Sequence, residues 1–210
     1  MKILISLCFV IIVSIKAFST SQYPDKIIIE GKEYDLFTNP LEPYFEKNPE
    51  KRPKSSIKSS ALWRGYVATF EIIDSTLYLK DIKIQKNDNK WLSVIEEVFP
   101  GNEKIIIDWF SGLFVIPDGK LVNYVHMGYG SSYEKYILLH IDKGYLKKIR
   151  KMKNNEYEAY KEKQYQEYKK TEEYSKLVQE IKKEGDSEEF IDSFIKSYVS
   201  SYTTIILKEE

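Results

Sequence analysis

Cysteine is almost missing from this chain: Cys8 is the only one in 210 residues. A single thiol closes no intramolecular disulfide, so a disulfide-stapled scaffold is excluded. Net charge is missing too, with 32 basic residues against 32 acidic ones. A dedicated nucleic-acid binder draws its affinity from a basic surface, and this balance argues against one. No Asn-x-Ser/Thr sequon occurs; Asn39 and Asn48, for example, are each followed by proline. The most apolar stretch, Ile3 to Ile15, stops at Lys16. A membrane-spanning helix takes about 20 apolar residues, so this one is too short.

That short run has a different layout. Lys2 precedes it and the small-residue segment Ala17-Phe18-Ser19-Thr20-Ser21 follows it. A positive start, a short apolar centre and small residues at the cut make a secretory signal peptide. The expectation is export, to the periplasm or beyond the cell, with residues 1–21 as the leader. Cleavage after Ser19 and cleavage after Ser21 both satisfy the small-x-small rule. Cys8 lies inside the apolar run, so it is not placed as a lipoprotein cysteine, and it departs with the leader. A thiol enzyme is then excluded as well. Losing Lys2 and Lys16 leaves 30 basic residues against 32 acidic ones. The remaining chain, about 190 residues, is long enough to bury a core without disulfides. No cysteine and no sequon fit a bacterial exported protein.

The mature chain divides in style at about residue 150. Residues 22–149 read as a β-rich domain and 150–210 as a helical extension. Lys26–Glu30 and Glu33–Phe37 flank Gly31-Lys32, which predicts a hairpin with a type II′ turn. Asn39 with Pro40 is placed to start a short helix. Asn48 to Ser60 reads as an exposed loop. Tyr66, Ala68, Phe70 and Ile72 alternate with more polar neighbours, the period of a strand. Asp74-Ser75 is the turn, and the return strand slips phase near Lys80-Asp81, which predicts a bulge. Asp88 to Phe99 reads as a helix with Trp91, Leu92, Ile95, Val98 and Phe99 on one face. Further strands are expected over Lys104–Ile107, Phe110–Ile116, Lys120–His126, Tyr133–Asp142 and Tyr145–Ile149. Pro117-Asp118-Gly119 and Asp142-Lys143-Gly144 read as the turns between them. Strands joined by tight turns are antiparallel. The predicted fold class is therefore α+β: an antiparallel β-rich domain, a meander or a partly closed sheet, followed by a C-terminal helical hairpin. Its first helix is expected over Lys153–Glu184, ended by Gly185. The second opens with a capping box, Asp186 at the N-cap and Glu189 at N3. Phe190, Ile191, Phe194, Ile195, Tyr198 and Val199 form its apolar stripe.

Candidate chemistry is sparse. Across a turn centred near Ser131, His126 pairs with Tyr136 and His140 with Val122. That sets the histidines ~13 Å apart along the ladder, whereas a shared metal needs both within ~2.1 Å. No metal site and no cofactor is expected. Ser111 in Asp108-Trp109-Phe110-Ser111-Gly112 lacks the Gly-x-Ser-x-Gly elbow. A hydrolase using His126 with Asp108 or Ser111 is the alternative enzymatic reading. The glycine-rich run His126-Met127-Gly128-Tyr129-Gly130 precedes a strand, not the helix a phosphate cradle needs. It reads as a tight loop able to rim a ligand through Tyr129 and Tyr133. Lys47, Lys51, Arg52, Lys54 and Lys58 form a basic loop balanced in part by Glu46 and Glu50.

The segments Trp63-Arg64-Gly65-Tyr66, Asp108-Trp109-Phe110-Ser111-Gly112 and His126-Met127-Gly128-Tyr129 resemble a core of uncharacterised exported bacterial proteins. The resemblance covers about Trp63 to Lys147 and carries no activity. It implies that the β block is the shared unit and the helical tail an addition. The leading expectation is a non-enzymatic exported protein that binds a small ligand or an envelope protein, of which an immunity- or inhibitor-like protein is one form. The expected binding residues are Trp63, Arg64, Trp109, His126, Tyr129 and Tyr133. No nucleic-acid partner and no membrane span is expected in the mature chain. The C-terminal helices offer a surface for association with a second copy or another protein.

Overall fold

The computed structural model describes residues 20–54, 59–86, 90–101, 103–183, 185 and 187–202. The leader predicted over 1–21 lies outside the described residues except for Thr20 and Ser21. The fold is α+β, a mostly antiparallel sheet followed by helices. In chain order the sheet strands are β1 (Asp25–Ile29), β2 (Lys32–Leu36), β3 (Val67–Ile73), β4 (Thr76–Gln85), β5 (Trp91–Ser93), β6 (Ile105–Ile106), β7 (Gly112–Asn123), β8 (Ser132–Asp142) and β9 (Tyr145–Lys153). Short helices α1 (Glu42–Lys47) and α2 (Ile95–Val98) interrupt them, and α3 (Asn154–Tyr168), α4 (Glu172–Lys183), α5 (Glu188–Ser197) and α6 (Val199–Tyr202) follow. One-turn 3-10 helices at Pro49–Lys51 and Ser60–Leu62 lie before β3.

The sheet runs β2-β1-β3-β4-β9-β8-β7, with β5 and β6 also paired to β4. One pair departs from the expected antiparallel pattern. The chain from Phe37 to Tyr66 crosses back before β3 begins, so β3 lies parallel to β1, with Ile27 opposite Phe70. The sheet curls until its edge strands touch at one point. There the Phe37 amide donates to the Val115 carbonyl at 2.8 Å. The Thr38 hydroxyl donates to the Leu113 carbonyl and accepts from the Val115 amide, both at 3.1 Å. The edges touch there without forming a ladder among the described residues, so the sheet is open.

Inside the curl lies the largest core, which includes Ile27, Leu36, Phe45, Tyr66, Phe70, Leu77, Phe114, Ile116 and Leu139. The alternation of Tyr66, Ala68 and Phe70 follows from one strand face pointing into that core. The bulge falls where the phase slips: Thr69 pairs with Asp81 and Phe70 with Leu79, leaving Lys80 as the extra residue. β7 and β8 are buried on both faces over Leu113–Ile116 and Tyr136–Leu139, so they read as continuous apolar runs. Their outer face is covered by α3, where Tyr157 and Tyr160 pack on Leu113, Val115, Tyr136 and Leu138. A third cluster, Tyr165, Tyr168, Ile191, Ile195 and Val199, holds the helices to one another.

Several local expectations are corrected. The first hairpin turns on Glu30-Gly31, both at positive φ, because Ile29 pairs with Lys32; this is type I′, which matches the strand twist. The N-cap of α1 is Leu41, with Pro43 in its first turn, not Asn39 with Pro40. Trp91 and Leu92 are exposed residues of β5, so the helix expected from Asp88 shrinks to α2. β7 passes straight through Pro117-Asp118-Gly119 with register shifts, and no hairpin turn occurs there. The helix expected over Lys153–Glu184 is broken between α3 and α4. The Thr171 hydroxyl donates to the Tyr168 carbonyl and accepts from the Tyr174 amide, closing one helix and capping the next. The α5 N-cap is Ser187, whose hydroxyl accepts from the Phe190 amide; Asp186 lies outside the described residues.

Candidate functional site

Two of the sequence-chosen residues, Arg64 and Tyr129, meet through a hydrogen bond. Arg64 follows the second 3-10 turn and is 3 % exposed, and Asp25, the first residue of β1, is fully buried. Arg64 Nη2 donates to the Tyr23 carbonyl at 2.8 Å and lies 3.4 Å from Asp25 Oδ1. Asp25 Oδ1 also accepts from the Ala68 amide at 2.9 Å. Arg64 Nη1 donates to the Tyr129 hydroxyl at 2.9 Å, which lies 3.0 Å from Asn39 Oδ1. Among the described residues, Asp25 Oδ2 and Arg64 Nε have no partner. Burial therefore outweighs the attraction of Arg64, and the Asp25 carboxyl is pushed up to about 6. Burial also pushes the Tyr129 hydroxyl well up, so it stays a neutral hydrogen-bonding group.

A second polar cluster lies alongside. Glu42 in α1 accepts both Nη1 and Nη2 of Arg52 at 2.9 Å and the Tyr66 hydroxyl at 2.7 Å. Arg52, expected as part of a basic loop balanced by Glu46 and Glu50, is committed instead to a bidentate pair with Glu42.

Tyr129 carries the buried network outward. Its ring stacks on Phe37 with centroids 4.7 Å apart and planes within 5°, and Tyr133 meets Phe37 edge-on at 5.8 Å. Phe37 and Tyr129 line a cleft of about 60 Å³ between the glycine-rich loop and the helices. Tyr136, Tyr157, Tyr198 and Lys161 line it as well, with hydroxyls from Ser131 and Ser200 among others. The Tyr136 and Tyr157 rings are 4.1 Å apart. Lys161 pairs with Glu158 at 2.9 Å, so the cleft's charged lining is neutralised. Burial holds the Tyr157 hydroxyl well above its ordinary range, and Tyr198 is shifted the same way. A larger depression of about 330 Å³ lies over β3, β4 and β6. Its Glu71 and Lys80 neutralise each other at 2.9 Å.

The other chosen residues lie elsewhere. Trp63 is 60 % exposed. Trp109 is a packing residue: its Nε1–H donates to the Pro40 carbonyl at 3.1 Å and its ring stacks on Phe99. His126 is exposed in the loop after β7, with Nδ1 2.7 Å from the Tyr124 hydroxyl. His140 pairs with Leu113 and Lys148, not with Val122. The Ser111 hydroxyl accepts from the Lys143 amide at 2.9 Å and lies 3.3 Å from Asp142 Oδ1, so it buttresses the β8–β9 turn. Asp108 is exposed at that same end, its amide beside Gly144. Ser111 and His126 thus occupy opposite ends of the β7–β8 ladder, on the order of 30 Å of strand apart.

Asp25, Asn39, Phe37, Tyr157, Lys161 and Tyr198 were not legible as site residues. Apart from Lys161, which pairs with Glu158 on its own helix, they join the site through elements distant in sequence, and only the charged Asp25 heading an apolar strand hinted at a buried pair. Among the described residues no group of three or more His, Cys, Asp or Glu is placed to hold a metal ion, and no helix is long and apolar enough to cross a membrane. The chain matches no family model, no curated protein and no solved structure.

Proposed function

We propose that this chain is an exported, non-enzymatic binding protein whose ligand site is the cleft between the glycine-rich loop and the helical extension. The observation that carries the reading is the lining of that cleft. Phe37, Tyr129, Tyr136, Tyr157 and Tyr198 line it together with Ser131, Ser132, Ser197 and Ser200. Its one acid and one base, Glu158 and Lys161, are engaged with each other. Such a lining offers apolar ring edges and neutral hydrogen-bonding groups, and a space of about 60 Å³ suits an uncharged hydroxylated molecule of only a few heavy atoms. General acid–base chemistry needs a titrating group within hydrogen-bond reach of the reacting atom. The separation of His126 from Ser111 and Asp108 favours binding over hydrolysis.

The test is ligand-observed NMR with small polyols, neutral alcohols and amides, on the chain beginning at Thr20. At least one compound is expected to bind, with a loss of ten-fold or more in Lys161→Ala and in Tyr198→Ala. No binding by any of them overturns the reading. Turnover of an ester, amide or glycoside that His126→Ala abolishes overturns it in favour of the hydrolase.

A further inference from the structure

Three lysines of the β8–β9 hairpin, Lys135, Lys151 and Lys153, have no ion-pair partner among the described residues. Lys135 and Lys153 sit directly across the ladder from each other. Like charges facing across paired strands oppose folding. Lys151 lies one row along on the same sheet face, opposite Ile137. All three lysines are exposed. The neighbouring acids are Asp118, across from Lys135, and two whose carboxylates already accept backbone amides. Glu134 takes the Lys120 amide at 3.0 Å, and Glu156 takes the Lys153 amide at 2.7 Å.

The backbone at Ile149 and Lys151 has no strand beyond it among the described residues, while the Lys153 amide is taken by Glu156. β9 meets β4 at a single pair, Thr76 with Tyr145, and from there to Lys153 it pairs with β8 alone among the described residues. Alternate residues of an antiparallel edge strand direct their N–H and C=O groups away from the partner. Ile149 stands in this stretch, 47 % exposed. An open edge flanked by lysines repels a second cationic or apolar strand and selects an acidic one.

We propose that the β9 edge from Lys147 to Lys151 receives an acidic extended segment of a partner protein as an added strand, with its carboxylates facing Lys135, Lys151 and Lys153. The open main-chain edge favours a peptide over a lipid surface, because head groups make no use of it. The Lys135–Lys153 repulsion is relieved when the segment docks.

The probe is a fluorescent peptide of alternating Glu and Thr, seven residues long, titrated into the chain from Thr20 at low and high salt. The expected result is saturable binding that weakens at least ten-fold at high salt. The same loss is expected in Lys151→Glu/Lys153→Glu, checked as folded by circular dichroism. Amide exchange at Ile149 and Lys151 is expected to slow at least ten-fold at saturation. No binding at low salt overturns the proposal, as does binding that leaves those amides unprotected. Equal binding of an alternating Lys-Thr peptide also overturns it. So does association with phosphatidylglycerol vesicles in the absence of peptide binding, which would make the patch a membrane contact.

Discussion

Replacing Arg64 by leucine isolates the buried pair. Arg64 and Asp25 side chains are 2 % and 0 % exposed, so water cannot take over when one is removed. Among the described residues, Arg64→Leu strips Asp25 of its one paired cation and leaves the Ala68 amide as its donor. Breaking a buried pair this way costs about 3–5 kcal/mol, which is roughly 6–20 °C in Tm for a chain of this size. The cost depends on pH. Asp25 is pushed up to about 6 in the folded chain against an ordinary 3.8, so the folded state holds the proton more tightly than the unfolded one. Its contribution to stability is full below 3.8 and is lost as pH rises through 6, an amount of about 3 kcal/mol. Without Arg64 the carboxyl rises further, and the variant should be hurt more at pH 8 than at pH 5. Asp25→Asn removes the charge and keeps an acceptor for the Ala68 amide. It should flatten the pH dependence and recover much of the loss in the double variant. Urea unfolding of the four proteins at both pH values reads all of this. A loss under 1 kcal/mol for Arg64→Leu, or one independent of pH, or no recovery by Asp25→Asn, refutes the reasoning.

Three further outcomes are expected. Gly144→Ala should cost about 2–4 kcal/mol in urea unfolding, since the residue has φ of +77° and a Cβ would lie 2.7 Å from the Ile107 carbonyl oxygen; a change under 0.5 kcal/mol would contradict that geometry. Ile195→Ala, at a fully buried position of the helical cluster, should cost about 2–5 kcal/mol and expose α5 to limited proteolysis before the sheet. Edman sequencing of the exported chain should return Thr20 first. Its carbonyl accepts the Gly128 amide at 3.3 Å and its hydroxyl lies 2.5 Å from that of Ser60, contacts that cleavage after Ser21 would remove; a chain that begins at Met1 in the cytosol removes the export proposal.

What the sequence made legible is what depends on near neighbours. The Tyr66–Phe70 alternation and the slip at Lys80 report one strand face and one extra residue, so they transfer directly to β3 and β4. Pro117-Asp118-Gly119 has turn composition, yet the strand runs through it because Ile116 and Tyr136 are already locked in the two-sided core. Gly119 instead occupies a bulge at φ +82°, where a Cβ would lie 2.7 Å from Glu134 Oε2. The break after Tyr168 was hidden because neither glycine nor proline marks it; Thr171-Glu172-Glu173 is the capping signal that does. Trp91 and Leu92 suit a helix face by spacing, but pairing with Ile84 and Gln85 of β4 draws them into a strand.

The site was less legible for a deeper reason. A chain with a single cysteine must fasten its distant parts without disulfides, and here polar contacts do that work. Arg64 reaches Tyr23, Asp25 and Tyr129 across separations of 41, 39 and 65 residues. Thr38 reaches Leu113 and Val115 across 75 and 77. No local pattern announces a contact of that range, because each partner alone looks like an ordinary surface residue. The same contacts explain why the cleft lies where it does. Tyr129 has its hydroxyl fixed by Arg64 and Asn39 and its ring fixed on Phe37, the residue whose amide joins β2 to β7. One aromatic wall is therefore held by the buried pair and by the contact between the sheet's edges together. Loosening Arg64 should displace that wall before it unfolds the core, so any ligand of the cleft should bind less tightly to Arg64→Leu even at pH 5, where the variant is most stable.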